Sequence, residues 1–259
     1  MPRPDPSALT PVAQDYLKVV WAAGEWSTAP VTTKRLAERL GVGAPTVSET
    51  VRRLCDQGLL AHARYGAVEL TAAGRAHAVA MVRRHRLIET FLVRELGYGW
   101  DEVHDEAEVL EHAVSDLLVE RLDERLGHPV RDPHGDPIPT AAGHVPALAA
   151  QPLRDVPAGR WVVARISDAD PALLRSFTAL GIVVDAVLDL DVAPDDVAPD
   201  DSAPDGSAPD GGDRDGGDRD NGTRDGGERA GDGRLVTVAG RTVDLDDDAA
   251  RAVWLVPPT

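Results

Sequence analysis

The sequence predicts a mainly helical protein with a smaller β portion: an N-terminal winged helix-turn-helix, a central helical domain and a C-terminal small β-barrel. Capped amphipathic segments fill residues 10–126, a glycine turn separates two short helices near residue 42, and short β-branched runs take over beyond Leu153. The corresponding boundaries are 1–73 for the winged domain, 74–148 for the helical domain and 153–259 for the β domain.

Thr10-Pro11 places a capping hydroxyl before a proline at the first helical position, and Ala13, Tyr16, Leu17 and Val20 then form an apolar stripe that Gly24 is expected to end. A second helix starts at Thr32 or Thr33, and Gly41-Val42-Gly43 turns the chain into a third opened by Pro45. In that third helix Val47, Val51 and Leu54 recur at i, i+4 and i+7. This leaves Thr46, Ser48, Glu49, Thr50, Arg52 and Arg53 outside. Two short helices joined by a glycine turn are a helix-turn-helix arrangement, and LLAHARYGAVELT reads as two strands about Tyr65-Gly66, the wing.

Thr71 caps a helix through AAGRAHAVAMVRRHRLIETFLVREL, expected to break or bend before Gly97. Asp101 opens another long one, in which Val103, Ala107, Leu110, Val114, Leu117, Leu118 and Leu122 keep a helical rhythm suited to core and dimer surface. The proline-rich run HPVRDPHGDPIP is a loop. WVVARI, IVVDAVLDL, RLVTVAG, RTVDLD and AVWLVP are strand-like.

The net charge of −17 at first argues against a nucleic-acid partner, but its distribution reverses that impression. Residues 1–84 carry eleven Lys and Arg against seven Asp and Glu, whereas residues 192–232 carry thirteen acids against four arginines. The second segment is a degenerate Asp, Pro, Gly and Ala repeat that cannot bury enough apolar surface to offset the entropy of ordering, so a disordered acidic insert is expected there. Basic charge and exposed polar residues coincide on the third helix, which points to double-stranded DNA; Arg52, Arg53 and Arg64 suit phosphate, and Thr46, Ser48, Glu49 and Thr50 suit base or phosphate contact. A single cysteine, Cys55, excludes a disulfide framework and a thiol-rich zinc site. The start MPRPDPSALT has no signal-peptide order and no apolar run is of spanning length, so a cytoplasmic location without membrane contact is expected.

His104, Glu108, Glu111 and His112 fall within an arc of roughly 100° on one helix, and His85 and Glu89 are i, i+4 neighbours on another. Imidazoles and carboxylates gathered this way suit a divalent first-row metal such as manganese, iron or zinc. A solvated acidic face, favoured by Glu102, Asp105 and Glu106, is the competing reading.

The segments APTVSETVRRLCDQGLL, LTAAGR, RRHRLIE, VHDEAEVLEHAVSD and GDPIP resemble the diphtheria toxin repressor family of metal-dependent regulators across residues 10–139, and more weakly across 155–257. The resemblance implies a homodimeric winged-helix repressor of operator DNA, not an enzyme, with a central dimerisation and metal domain and an SH3-like barrel. It implies one metal site from His85, Glu89 and His104 with Asp170 from the barrel, and an activating site from Asp15, Glu108, Glu111 and His112. The family's second barrel ligand falls at Leu173, which cannot coordinate. The iron-type branch has methionine and cysteine where this chain has Asp15 and Glu108, and the manganese-type branch has acids, so the resemblance favours Mn²⁺, with Fe²⁺ as the alternative. Lys18 departs from a manganese-type group that carries a further carboxylate there, and Glu49 stands where glutamine is frequent.

Two other function classes stay open on sequence alone. A metallohydrolase would use the same His/Glu cluster to activate water, although no nucleophile motif or glycine-rich phosphate loop accompanies it. A winged-helix regulator of organic ligands would leave the cluster as surface charge.

Overall fold

A computed structural model of the chain describes residues 9–27, 29–63, 66–191 and 233–258. Arg64, Tyr65 of the expected wing turn and the acidic segment 192–232 lie outside the described residues.

Helix α1 spans Pro11–Trp26, with the Thr10 hydroxyl accepting from Ala13 N and Pro11 in the first turn. It runs through Gly24, the expected stop. Glycine inside a helix costs about 1 kcal/mol, and the buried neighbours Trp21 and Ala23, with Trp26 packed on Arg165, hold the last turn against that cost. Helix α2, Thr33–Leu40, is capped by Thr32 and closed by left-handed Gly41, and α3 is Ala44–Asp56. Strands β1, Leu60–His62, and β2, Val68–Leu70, pair antiparallel with Leu60 opposite Leu70. A bridge between Thr32 and Ala67 ties this hairpin to the start of α2. Leu17, Leu36, Val47, Val51, Leu54 and Val68 bury together, so three helices and the hairpin share one core.

Helix α4, Ala72–Leu96, is continuous to its left-handed cap at Gly97, without the expected break. Its first turn presses on the wing. A Cβ on Gly74 would stand 1.9 Å from Leu59 O, so only glycine admits this approach. The long helix expected from Asp101 is instead two, α5 at Val103–Glu111 and α6 at Asp116–Arg125. Ser115 causes the division, since its hydroxyl caps α6 by accepting from Leu118 N. The change of direction leaves Leu117 and Leu118, part of the stripe expected to form core and dimer surface, 63% and 44% exposed.

The C-terminal region contains strands β3 Gln151–Pro152, β4 Gly159–Ile166, β5 Val187–Leu190, β6 Arg234–Val238, β7 Arg241–Leu245 and β8 Val253–Val256. Helix α7, Pro171–Leu180, follows β4, and α8, Asp247–Ala252, precedes β8. The sheet runs β3-β8-β4-β5-β6-β7, antiparallel throughout, around Val163, Ile166, Leu174, Phe177, Leu188 and Leu255. The expected barrel does not close. Its edges are β3 and β7, and the two-residue β3 ends in Pro152, which has no N–H to extend the ladder.

Contacts that bring this sheet to the helical region include those of Arg165 and of Gly135. The Arg165 guanidinium lies between Trp26 at 3.8 Å and Trp254 at 4.2 Å and donates to Glu25 O. Gly135, at φ +92°, lets the loop 131–138 lie on β4, where a Cβ would stand 2.2 Å from Ala164 O. Among the described residues no helix is long and apolar enough to cross a membrane.

Candidate metal centre and nucleic-acid interface

Four groups of His, Asp and Glu among the described residues bring ligand-type atoms within 4.8 Å of one another: Asp15/Glu111/His112, His85/Glu108/Glu111, His85/Glu89/His104/Asp168 and Glu89/Asp132/His134. They form one connected acidic region where α1, α4 and α5 meet the loop 131–138 and the segment after β4. A cavity of about 440 Å³ runs along it, lined among others by Asp15, Lys18, His85, Glu89, His104 and Asp168.

The first cluster joins α1 to the end of α5. His112, the C-cap of α5, has Nε2 2.9 Å from Asp15 Oδ1 and 3.6 Å from Glu111 Oε1. The first contact lacks hydrogen-bonding geometry, so the buried Asp15 Oδ1 has no hydrogen-bond partner. The orientation of the His112 ring follows from its other nitrogen. Gln14 donates its amide to Leu9 O, which leaves Oε1 as the acceptor of Nδ1–H at 2.7 Å and directs Nε2 at Asp15. Burial, outweighing the His112 and Lys18 charges, raises the Asp15 carboxyl above its ordinary value.

Lys18 stands one turn beyond Asp15, and its Nζ donates to Glu108 Oε1 at 2.5 Å and Glu111 Oε1 at 2.6 Å. Burial alone would lower this amine. The two carboxylates reverse that and raise it. Glu111, fully buried, is held below the usual carboxylate range despite its burial by hydrogen bonding and charge from His85 and by the Lys18 ammonium.

His85 belongs to both halves of the region: Nδ1 is 2.6 Å from Glu111 Oε2 and Nε2 is 2.9 Å from Glu89 Oε1. Burial disfavours its charged form, but the Glu89 charge and the bonds to Glu111 and Glu89 raise it to about 9. His104 Nδ1 lies 3.3 Å from Glu89 Oε1 and 3.0 Å from Asp168 Oδ2; bonds to those carboxylates outweigh burial and raise it to about 10. Burial would raise Asp168, yet the His104 bond and charge bring it down to about 2.

Asp170, expected to join His85, Glu89 and His104, is not there. Its carboxylate caps α7, accepting from Ala172 N and Leu173 N, and Asp168 occupies the place beside His104. The arc of His104, Glu108, Glu111 and His112 also divides. His104 turns to His85 and Glu89, and His112, two turns on, faces Asp15. Sequence reasoning missed Asp168, Asp132 and His134; the Asp-x-His spacing in the loop 131–138 is the signal that could have found the last two. Buried His134 donates its Nε2–H to Trp100 O at 2.7 Å, while its Nδ1 has no hydrogen-bond partner.

Asp15, Glu111 and His112 offer two carboxylates and one imidazole nitrogen to a common point, and Glu108 meets Glu111 and His85 beside them, with no thiol or thioether among these residues. That donor set and the orphaned Asp15 oxygen fit a divalent cation of the harder first-row kind.

On the other side of the winged domain, Thr46, Ser48, Glu49, Arg52 and Arg53 form the exposed face of α3. Thr50, expected among them, is buried at 8% exposure, because it continues the inward stripe of Val47, Val51 and Leu54 at i+3. Arg64 lies outside the described residues.

The model described as the iron dependent repressor N-terminal DNA binding domain matches residues 8–68, and that described as the iron dependent repressor metal binding and dimerisation domain matches residues 71–140. The iron-dependent repressor IdeR of Mycobacterium leprae (strain TN) is 42% identical over 131 residues, covering 51% of this chain and 56% of the relative. The chain thus spans a little over half the length of that relative. A diphtheria toxin repressor of Corynebacterium glutamicum is 33% identical over 192 residues, covering 72% of this chain and 84% of the relative. Among solved structures, a manganese-dependent transcriptional repressor in complex with manganese superposes with a TM-score of 0.77 at 50% identity, covering 95% of this chain and 100% of that one. The manganese regulator SloR gives 0.71 at 28% identity, covering 96% and 100%.

Proposed function

Because the chain belongs to the iron-dependent repressor family, that of IdeR and the diphtheria toxin repressor, we propose that it is a manganese-activated transcriptional repressor. It binds palindromic operator DNA as a cytoplasmic homodimer and controls metal-ion homeostasis genes. The observation that carries this reading is the convergence of Asp15 from α1 with Glu111 and His112 at the end of α5, beside Glu108, which meets Glu111; the donors are mostly oxygen and include a buried carboxylate oxygen without a hydrogen-bond partner. A bound divalent ion supplies positive charge shared by these groups. Asp15 then holds α1, and with it the helix-turn-helix, against α5; Gln14 keeps His112 in the ligating tautomer. His85, Glu89, His104 and Asp168 form a second, ancillary site, with Asp168 in the role first expected of Asp170.

In this reading residues 1–73 read DNA, 74–148 hold metal and the dimer contact, and the SH3-like sheet within 153–259 packs against the first two. Thr46, Ser48 and Glu49 face base edges and Arg52 and Arg53 face phosphate, with two recognition helices one helical turn or so apart. Val109, Leu117 and Leu118, 71%, 63% and 44% exposed on α5 and α6, are apolar surface suited to a second copy. No observation favours a hydrolase, and the family is one of transcriptional repressors.

Iron is the second reading, favoured by the iron-dependent repressors among the sequence relatives. Operator affinity against free Mn²⁺ and Fe²⁺, measured anaerobically, separates the two. The parent is expected to respond to manganese, and Asp15→Met with Glu108→Cys to shift the response toward iron. A parent that responds to iron and ignores manganese replaces the manganese reading with the iron one.

A further inference from the structure

We propose that Lys18 is a tethered cation that competes with the activating metal ion for Glu108 and Glu111, and so sets the metal concentration at which the protein responds. This rests on the reading of Asp15, Glu108, Glu111 and His112 as the metal centre.

The ammonium takes the same atoms that a metal ion would need. Lys18 Nζ lies 2.5 Å from Glu108 Oε1 and 2.6 Å from Glu111 Oε1, and the lysine is only 8% exposed. An amine buried to that degree is tolerated because it is paired, and the acids Asp15, Glu108 and Glu111 are tolerated together because it neutralises part of their charge. A divalent ion bound to the same two oxygens would stand within a few ångströms of Nζ, where two cations repel in a medium less polar than water. Binding therefore requires the ammonium to withdraw, and that exchange lowers the affinity for metal.

The structure also offers the lysine somewhere to go. Its side chain lines the cavity that Glu89, Asp132, Asp136 and Asp168 also line, so a flexible four-carbon stem can carry the charge toward other carboxylates. Lys18 and Asp15 sit one helical turn apart on α1, and both face the end of α5. The same helix thus presents a resident cation and a carboxylate oxygen without a hydrogen-bond partner to one target. Exchange between them alters how α1 is held, which connects metal threshold to the position of the winged domain.

The full-length chain is dialysed to equilibrium against Mn²⁺ alone, as parent, Lys18→Met, Lys18→Arg and Asp15→Asn, and the thermal midpoint is recorded in chelator. Lys18→Met is expected to bind Mn²⁺ about ten-fold or more tighter, the size of a nearby-charge effect of one or more pK units. Its midpoint in chelator is expected to fall, because the carboxylates are left without their counter-charge. Lys18→Arg, which keeps the charge, stays near the parent in both. Unchanged or weaker Mn²⁺ binding by folded Lys18→Met overturns the proposal. Should Lys18→Met not fold, Lys18→Gln is read in its place by the same criteria. Asp15→Asn separates the two levels: if it binds Mn²⁺ as the parent does, the metal-centre reading fails, whereas if it binds weakly while Lys18→Met is unchanged, only the tethered cation fails.

Discussion

Nδ1 of His85 lies 2.6 Å from Oε2 of Glu111, which joins the cluster reaching α1 to the cluster reaching Asp168 through one buried imidazole. Because Nε2 of the same ring meets Glu89 at 2.9 Å, His85 has a carboxylate on each nitrogen and is stabilised as an imidazolium. A ligating imidazole must be neutral, so protons and metal compete for this residue.

The first prediction concerns pH. His85 is raised from 6.5 to about 9 and His104 from 6.5 to about 10. Folded values above unfolded ones give stability that is full below the unfolded pKa and lost as pH rises through the folded pKa. In chelator, the thermal midpoint is expected to decline between pH 6.5 and 10. Over the same window Mn²⁺ affinity is expected to rise, as the imidazoles lose their protons; anaerobic dialysis at several pH values checks it, and a flat profile contradicts the protonated pair.

Gln14 should matter to metal without touching it. Gln14→Leu removes the acceptor that orients His112, and loss of such an outer-shell partner costs about 10–100-fold in metal affinity. Dialysis against Mn²⁺, with circular dichroism to verify the fold, reads the effect. Parent-like affinity would show that the 2.7 Å contact does not orient the ring.

The recognition helix divides into exposed and buried positions with different consequences. Arg52→Ala or Arg53→Ala is expected to weaken binding similarly across operator sequences and to reduce the logarithmic salt slope by about 1 for each phosphate no longer neutralised. Thr50→Arg, by contrast, forces a charge into the site of a residue 8% exposed and is expected to lower stability before it alters sequence preference. Salt titrations of operator affinity and thermal melts distinguish the two effects.

Much of this architecture is legible because it is locally encoded. Thr10-Pro11, Thr32, Gly41 and Thr71 announce helix ends by hydrogen-bonding or backbone chemistry contained within a few residues. The same chemistry explains two misreadings. Ser115 is a cap that divides the expected long helix, and Asp170-Pro171 is a cap and first turn, which takes Asp170 away from the cluster where the barrel ligand is expected. Asp168, Asp132 and His134 depend on close packing of a proline-rich loop and β4 at Gly135, a long-range relation that no periodicity records. A hydroxyl favours the surface, which is the reason to expect Thr50 outside, but its position one turn from Val47 and Leu54 prevails.

Strands β5 and β6 pair antiparallel with Leu190 opposite Val236, so the chain leaves and re-enters the sheet at neighbouring points. Joining Val192 to Asp232 therefore closes an ordinary hairpin connection, and the shortened protein is expected to keep its dimer, melting behaviour and metal response. Size-exclusion chromatography, thermal melts and operator titration check this, and a large loss in any of them would assign the segment a role of its own.

The central claim is that a metal ion joins Asp15 to the end of α5 and thereby holds the DNA-binding domains in their operator-competent arrangement. Operator affinity of the full-length protein, measured at one moderate salt concentration with saturating Mn²⁺ and again in excess chelator, tests it most directly. Specific binding in Mn²⁺ that disappears in chelator, leaving only sequence-independent association, is the expected result. Equal specific affinity in the two conditions would contradict it.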